Sequence, residues 1–194
     1  MFNVPKEEVL ANFDFFYRPP AWKEFLSLPK DDLHRIEFID GRIVRFTPSV
    51  SHQRILGLLF MKFQQCLSPS DSCEVFFAPL DVRLGSNVVQ PDLMVICDEI
   101  GEDVYEGVPT IVLEVLSQST KHMDLGRKLE LYREGGIKEY WIVDPRWKSV
   151  QIYTFDEEES FWEYFDKEEA ASKIFKQLLV RLDVFFDYFA NSEK

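Results

Sequence analysis

Two apolar runs in this chain each carry a single carboxylate in the middle: Gln90-Pro91-Asp92-Leu93-Met94-Val95-Ile96 and Thr110-Ile111-Val112-Leu113-Glu114-Val115-Leu116. Both read as buried strands, because short apolar runs rich in β-branched residues suit strands covered on both faces. An ionised carboxylate is costly to bury unless something compensates its charge. Two of them on adjacent strands point to a shared cation, an arrangement expected of a metal-dependent phosphodiesterase site.

Residues i and i+2 of a strand share a face. Asp92 then lies with Gln90 and Met94, and Glu114 with Val112 and Leu116. If the strands pair, both carboxylates reach one spot. Together with the carbonyl of Val115 and several waters they form a hard oxygen set suited to Mg2+ or Mn2+. Such an ion would polarise a phosphate and lower the pKa of a bound water.

The surroundings of the pair predict an α/β chain. Arg35–Ile39 and Arg42–Phe46 flank Asp40-Gly41, a hairpin signal, since Asp-Gly supplies the positive φ angles of a type I′ turn. Trp22–Leu26 reads as a short helix. Ser51 is a candidate N-cap for a helix from His52 to Leu67, ended by Ser68-Pro69-Ser70. Glu74–Leu84, a turn at Gly85-Ser86-Asn87 and Val88–Cys97 read as two strands, and Thr110–Leu116 as a third. Ser119 can cap a helix over Lys121–Glu134 that stops at Gly135-Gly136. Glu139–Asp144 is a fourth strand, returning by a right-handed crossover. A hairpin follows over Lys148–Phe155 and Ser160–Phe165, then a short strand and a helical turn within Ser172–Phe189. The core order is αβββαβ in one unit, 1–194. It divides into an N-terminal extension with hairpin (1–50), a core (51–145) and a C-terminal β extension (146–194).

Composition narrows the classes. No apolar run reaches the roughly 18 residues of a membrane helix, and MFNVPKEEVLANFDFF lacks a basic, then apolar, leader. A cytoplasmic protein with no membrane partner is expected. Cys66, Cys73 and Cys97 are odd in number and form no C-x-x-C pair, so neither a disulfide nor a zinc site is expected. The net charge of -12 argues against tight non-specific nucleic-acid binding. The balance reverses between Lys121 and Lys138, with 5 basic against 3 acidic residues.

A longer ordered set carries a resemblance. Val112-Leu113-Glu114-Val115-Leu116-Ser117-Gln118-Ser119-Thr120 is followed by Asp124, Lys128, Tyr132 and Gly136-Ile137-Lys138-Glu139-Tyr140-Trp141-Ile142-Val143-Asp144-Pro145. With Ile36–Gly41 and Pro48–His52 ahead of it, this set resembles the Uma-two family of the PD-(D/E)XK nuclease superfamily, over roughly residues 33–155. The resemblance implies a restriction-endonuclease-like fold with a central mixed sheet and flanking helices. It also implies a divalent metal and hydrolysis of phosphodiester bonds in nucleic acid, DNA being the expected substrate. A homodimer would ease cutting of both strands. The superfamily lysine two residues after the glutamate is Leu116 here, and an apolar side chain cannot orient water. Lys128 on the following helix is the candidate replacement, with Tyr132 one turn beyond it. The family match adds Glu37 and His52 as candidate site residues.

Each of these residues also has a structural reading. Asp92 and Glu114 can be paired with a buried arginine or with backbone donors. Lys128 can face solvent, Tyr132 can pack, Glu37 can be an exposed hairpin residue, and His52 can cap a helix. Asp81 can pair with Arg83. His34 and His122 read as surface, and Ser117 and Ser119 as turn and cap residues. The competing function is a catalytically inactive module on the same fold that binds nucleic acid or protein. A glycoside hydrolase fits poorly, since its acids flank an open sugar cleft.

Overall fold

The computed structural model describes residues 20–28, 35–67, 72–101, 104–117, 121–156 and 158–192. Helix α1 (Pro20–Ser27) precedes the hairpin β1 (Arg35–Ile39) and β2 (Arg42–Phe46), whose turn holds Asp40 at φ 49° and Gly41 at φ 77°. Both angles are positive, as the Asp-Gly pair predicts. Helix α2 (Val50–Cys66) follows. Its cap is Ser49 rather than Ser51: the Ser49 hydroxyl accepts the His52 N–H at 3.2 Å, because the helix starts ahead of His52. The expected stops at 68–70 and the expected cap at Ser119 lie outside the described residues, as does His34.

The two long strands expected next are each broken. The first becomes β3 (Glu74–Phe77) and β4 (Asp81–Leu84), and the second becomes β5 (Asn87–Val89) and β6 (Leu93–Ile96). Both breaks coincide with a proline, Pro79 in one strand and Pro91 in the other. Proline has no N–H to give a ladder and is excluded from strand interiors. A bond from Ala78 N–H to the Asp92 carbonyl, 3.3 Å, ties the two bends together. One bent hairpin thereby serves two sheets. Asp92 sits at the bend, one residue ahead of β6, and not in mid-strand as the sequence suggested.

The first sheet has the order β2-β1-β5-β4-β7, with β7 at Val104–Tyr105. The second has the order β11-β10-β9-β8-β6-β3. Here β8 is Ile111–Val115, β9 is Glu139–Asp144, β10 is Ser149–Thr154 and β11 is Ser160–Tyr164. Strands β8 and β9 run parallel, while β6–β8, β9–β10 and β10–β11 are antiparallel. The expected N-terminal and C-terminal hairpins are therefore edges of the two main sheets. A small β12–β13 pair (Glu169–Ala171, Leu179–Arg181) leads into helix α4 (Leu182–Ser192).

The central strands are buried on both faces. One face, with Leu93, Val95, Leu113, Trp141 and Val143, packs on Leu59 and Phe63 of α2 and Phe186 of α4. The other face, with Met94, Val112, Tyr140 and Ile142, meets Ile39, Val82 and Val89 of the first sheet. It also meets Leu131 and Tyr132 of α3 (Lys128–Glu134). A π-helical turn at Met123–Arg127 enters α3, and Gly136 at φ 83° terminates it. By the period of two, Asp92 and Glu114 both project to this second face, between the two sheets.

The cysteine expectation is overturned. Cys73 and Cys97 flank the β3–β6 ladder directly opposite one another and form a disulfide, leaving Cys66 as the free cysteine. The sequence gives no sign of this, because register, not spacing, brings residues 24 apart into contact. No helix among the described residues is long and apolar enough to cross a membrane. Titration of unreduced, denatured protein with a thiol reagent should count one thiol per chain, and three after reduction. Three thiols before reduction would refute the pairing.

Candidate active site

The register Leu93↔Leu113 extends to place Asp92 opposite Glu114 and Pro91 opposite Val115. The Val115 N–H donates to Asp92 Oδ2 at 2.7 Å, so this backbone edge of β8 faces the bend. The carbonyl of a strand residue points the same way as its N–H. Pro91, across from it, has no N–H to offer. The proline thus keeps a ladder donor away from the Val115 carbonyl while placing Asp92 beside Glu114.

Four buried carboxylates converge here, Glu37, Asp92, Glu114 and Asp124, against two buried cations, Arg35 and Lys128. Lys128 Nζ donates to Glu114 Oε1 at 2.8 Å and to Glu37 Oε1 at 2.9 Å, and lies 3.8 Å from Asp124 Oδ1. Tyr132 OH donates to the same Glu114 Oε1 at 2.6 Å. Glu37 Oε1 also accepts the Gln90 N–H at 2.8 Å, which ties β1 to the bend. Asp92 Oδ1 takes the Arg35 guanidinium and His52 Nε2, the latter at 3.0 Å. The Asp92 N–H leans on Glu114 Oε2 at 3.4 Å.

Local structure explains these placements. Arg35 and Glu37 are two apart on β1 and share its inward face. Asp124, Lys128 and Tyr132 are four apart through the π turn and α3, so they stack along one helical side. His52 is in the first turn of α2, held by the Ser49 cap. The hairpin is fastened over the site by Arg127, whose Nε and Nη2 donate to Asp40 Oδ2 and Oδ1 at 2.6 and 2.9 Å. Phe46 covers both buried cations, with Arg35 5.4 Å and Lys128 5.7 Å from its ring centre.

The electrostatics follow from burial with an excess of negative charge. Burial pushes Glu114 up, and Asp92, Asp124 and Glu37 add to this; Lys128 opposes them, leaving Glu114 at about 8. Burial also acts on Asp92, but the His52 hydrogen bond, the Arg35 charge and the Val115 N–H outweigh it and hold Asp92 at about 2. Burial alone would lower Lys128, yet Glu114, Glu37 and Asp124 raise it and keep it charged. Burial and the neighbouring Glu114 raise Tyr132 well above its ordinary value, so it acts as a hydrogen-bond donor.

The cluster is not sealed. A cleft of about 550 Å³ reaches Asp92, Glu114, Val115, Asp124 and Lys128, and its rim includes Lys121 and Arg146. Among the described residues, no three His, Cys, Asp or Glu side chains form a ready-made metal cage. The two carboxylates and the Val115 carbonyl form a hard oxygen set, and four acids stand against two cations, an excess of two that the proton on Glu114 reduces to one.

The structure brings together Asp92, Glu114, Lys128, Tyr132, Glu37 and His52, and Val115 adjoins them. Glu37 and Lys128 are buried, so their exposed readings do not hold. Asp81 accepts from the Gln90 amide at 2.8 Å, and Arg83 pairs with Glu106 at 3.6 Å. His122 is exposed. Sequence reasoning assigned no role to Arg35 or Asp124. The i, i+2 spacing of Arg35 to Glu37 and the i, i+4 spacing of Asp124 to Lys128 are the signals by which they can be found.

A model of the Uma2 family, described as putative restriction endonucleases, matches residues 22–178. The chain belongs to the Uma2 family. An uncharacterised protein of Synechocystis sp. is 28% identical over 137 residues, 68% of this chain and 72% of that protein. The crystal structure of a putative nuclease belonging to DUF820 from Anabaena variabilis superposes with a TM-score of 0.73 at 21% identity. The superposition covers 88% of this chain and 99% of that one, and it shows that the restriction-endonuclease-like fold is shared. Uma2 membership thus rests on most of the chain, including every element that contributes to the acid cluster.

Two outcomes follow from the buried charges. Lys128→Met strands the Glu37 carboxylate without its cation and takes a donor from Glu114, and should cost ~3–5 kcal/mol in denaturant unfolding at neutral pH. Adding Glu37→Gln should recover much of that loss. Separately, Glu114 holds a proton in the folded chain from about pH 4.5 to about 8, a range in which it is lost on unfolding. The Glu114 contribution is full below about 4.5 and disappears as pH rises through about 8. Metal-free wild type should lose stability across that window, and Glu114→Gln should flatten the slope.

Proposed function

We propose that this protein is a divalent-metal-dependent nuclease, acting on DNA, with Asp92, Glu114 and the Val115 carbonyl holding Mg2+ or Mn2+. The observation that carries this reading is the pair of buried carboxylates at the foot of an open cleft, in a cluster of four buried acids against two buried cations. Buried charge of one sign is expensive unless a counter-charge can enter. When bound, the ion supplies Lewis-acid polarisation of a phosphate oxygen.

The chain's own residues do the remainder. Lys128 takes the place of the lysine absent at Leu116: it lines the cleft and is fixed by Glu37 and Glu114, so its ammonium is held ready to orient a water beside the phosphate. Tyr132 fixes Glu114 Oε1 from the helix side. Glu37 sets the Lys128 position, and His52 orients Asp92 from α2. Phosphoryl chemistry of this kind depends chiefly on positioning and charge stabilisation.

The inactive-module reading draws on one observation. Arg35 lies on Asp92 and neutralises it, as a purely structural acid would require. The two readings part on metal binding. Calorimetry with Mg2+ and Mn2+ should show binding to wild type that is lost in Asp92→Ala and Glu114→Ala. Plasmid or single-stranded DNA should be cut by wild type alone. A wild type that binds neither ion would establish the module instead.

A further inference from the structure

The turn between β9 and β10 reads Pro145-Arg146-Trp147-Lys148 and stands at the rim of the cleft, which Pro145 and Arg146 line. Glu114 is in register with Ile142, and Asp144 lies two residues further along β9, about 7 Å on. The turn therefore sits just beyond the acid pair, on the side where β8 and β9 both end. Its backbone is fixed from within: Asp144 Oδ1 accepts the Arg146 and Trp147 N–H groups at 2.9 and 3.2 Å.

Trp147 is 65% exposed, whereas Trp22 and Trp141 are buried and Trp162 is half-buried. Its large apolar ring is held out into solvent on a rigid tip, flanked in sequence by Arg146 and Lys148. The Arg146 guanidinium lies 5.9 Å from the ring centre. On a chain with a net charge of -12, a flat aromatic face with a guanidinium beside it at the cleft is complementary to a base with its phosphates. Long-range attraction to a polyanion is weak for such a chain, so contact affinity must come from stacking more than from charge.

We propose that Trp147 is a stacking platform for an unpaired base next to the scissile phosphate, with Arg146 contacting the backbone, so that the site takes single-stranded or locally unpaired nucleic acid in preference to intact duplex. The proposal rests on the nuclease reading for the role of the cleft, but its binding step does not need catalysis. A base within a duplex is stacked on its neighbours and offers no free face to the indole.

Binding is measured by anisotropy of a fluorescein-labelled oligothymidylate, and of a blunt duplex of similar length, in EDTA so that nothing is cut. Wild type should bind the single strand more tightly and show quenched tryptophan emission. Trp147→Ala should weaken single-strand binding at least about fivefold with a smaller effect on duplex, Trp147→Phe should restore most of it, and Arg146→Ala should reduce the salt dependence. Equal binding of both forms, no single-strand binding, or an unchanged Trp147→Ala variant would overturn the proposal. So would self-association of wild type that Trp147→Ala abolishes while leaving nucleic-acid binding intact, which would make the turn an interface between copies. Cleavage with Mn2+, scored separately on wild type, keeps the two readings apart. Cutting without Trp147-dependent binding leaves the nuclease standing and this proposal refuted; Trp147-dependent binding with no cutting does the reverse.

Discussion

The Lys128 ammonium, shared between Glu37 and Glu114, is the contact on which the site's construction depends. It joins three elements far apart in sequence: the N-terminal hairpin, the central strand β8 and helix α3. Without it the second face of the six-stranded sheet would bury carboxylates against one another. With it, the acids still outnumber the cations, and the chain resolves the remainder by keeping a proton on Glu114 and an arginine on Asp92. An incoming divalent cation would relieve the same imbalance.

Much of this was legible in the sequence because it follows from periodicity. Asp92 and Glu114 reach one face because strands have a period of two, and Lys128 and Tyr132 reach Glu114 because helices bring i and i+4 together. The Asp-Gly turn, the C-terminal hairpin and the final strand-to-helix step were visible for similar reasons. What was not visible depends on relations between elements. Arg35 meets Asp92 only once β1 has paired with β5, and the Cys73–Cys97 bridge exists only once β3 has paired with β6 in its register. The π turn before α3 also escaped, since Met123–Arg127 carries no mark that separates it from an ordinary helix start.

The strand breaks are legible in the prolines. Pro79 and Pro91 fall inside the apolar runs, and a residue lacking an N–H cannot continue a central ladder. Read as breaks, they divide each strand where the structure does. The second break also places Asp92 at the start of a strand, where a side chain can turn towards a cleft, rather than in the closed middle of a sheet.

That division has a consequence for the layers. The chain from β3 to β6 passes through both sheets, so its two bends at Pro79 and Pro91, stiffened by the fixed φ of proline, pin one sheet to the other. Glu114 stands in the six-stranded sheet, and Asp92 sits at the crossing point, where its Oδ2 takes the Val115 N–H. The backbone that joins the two layers therefore also sets the spacing of the two acids.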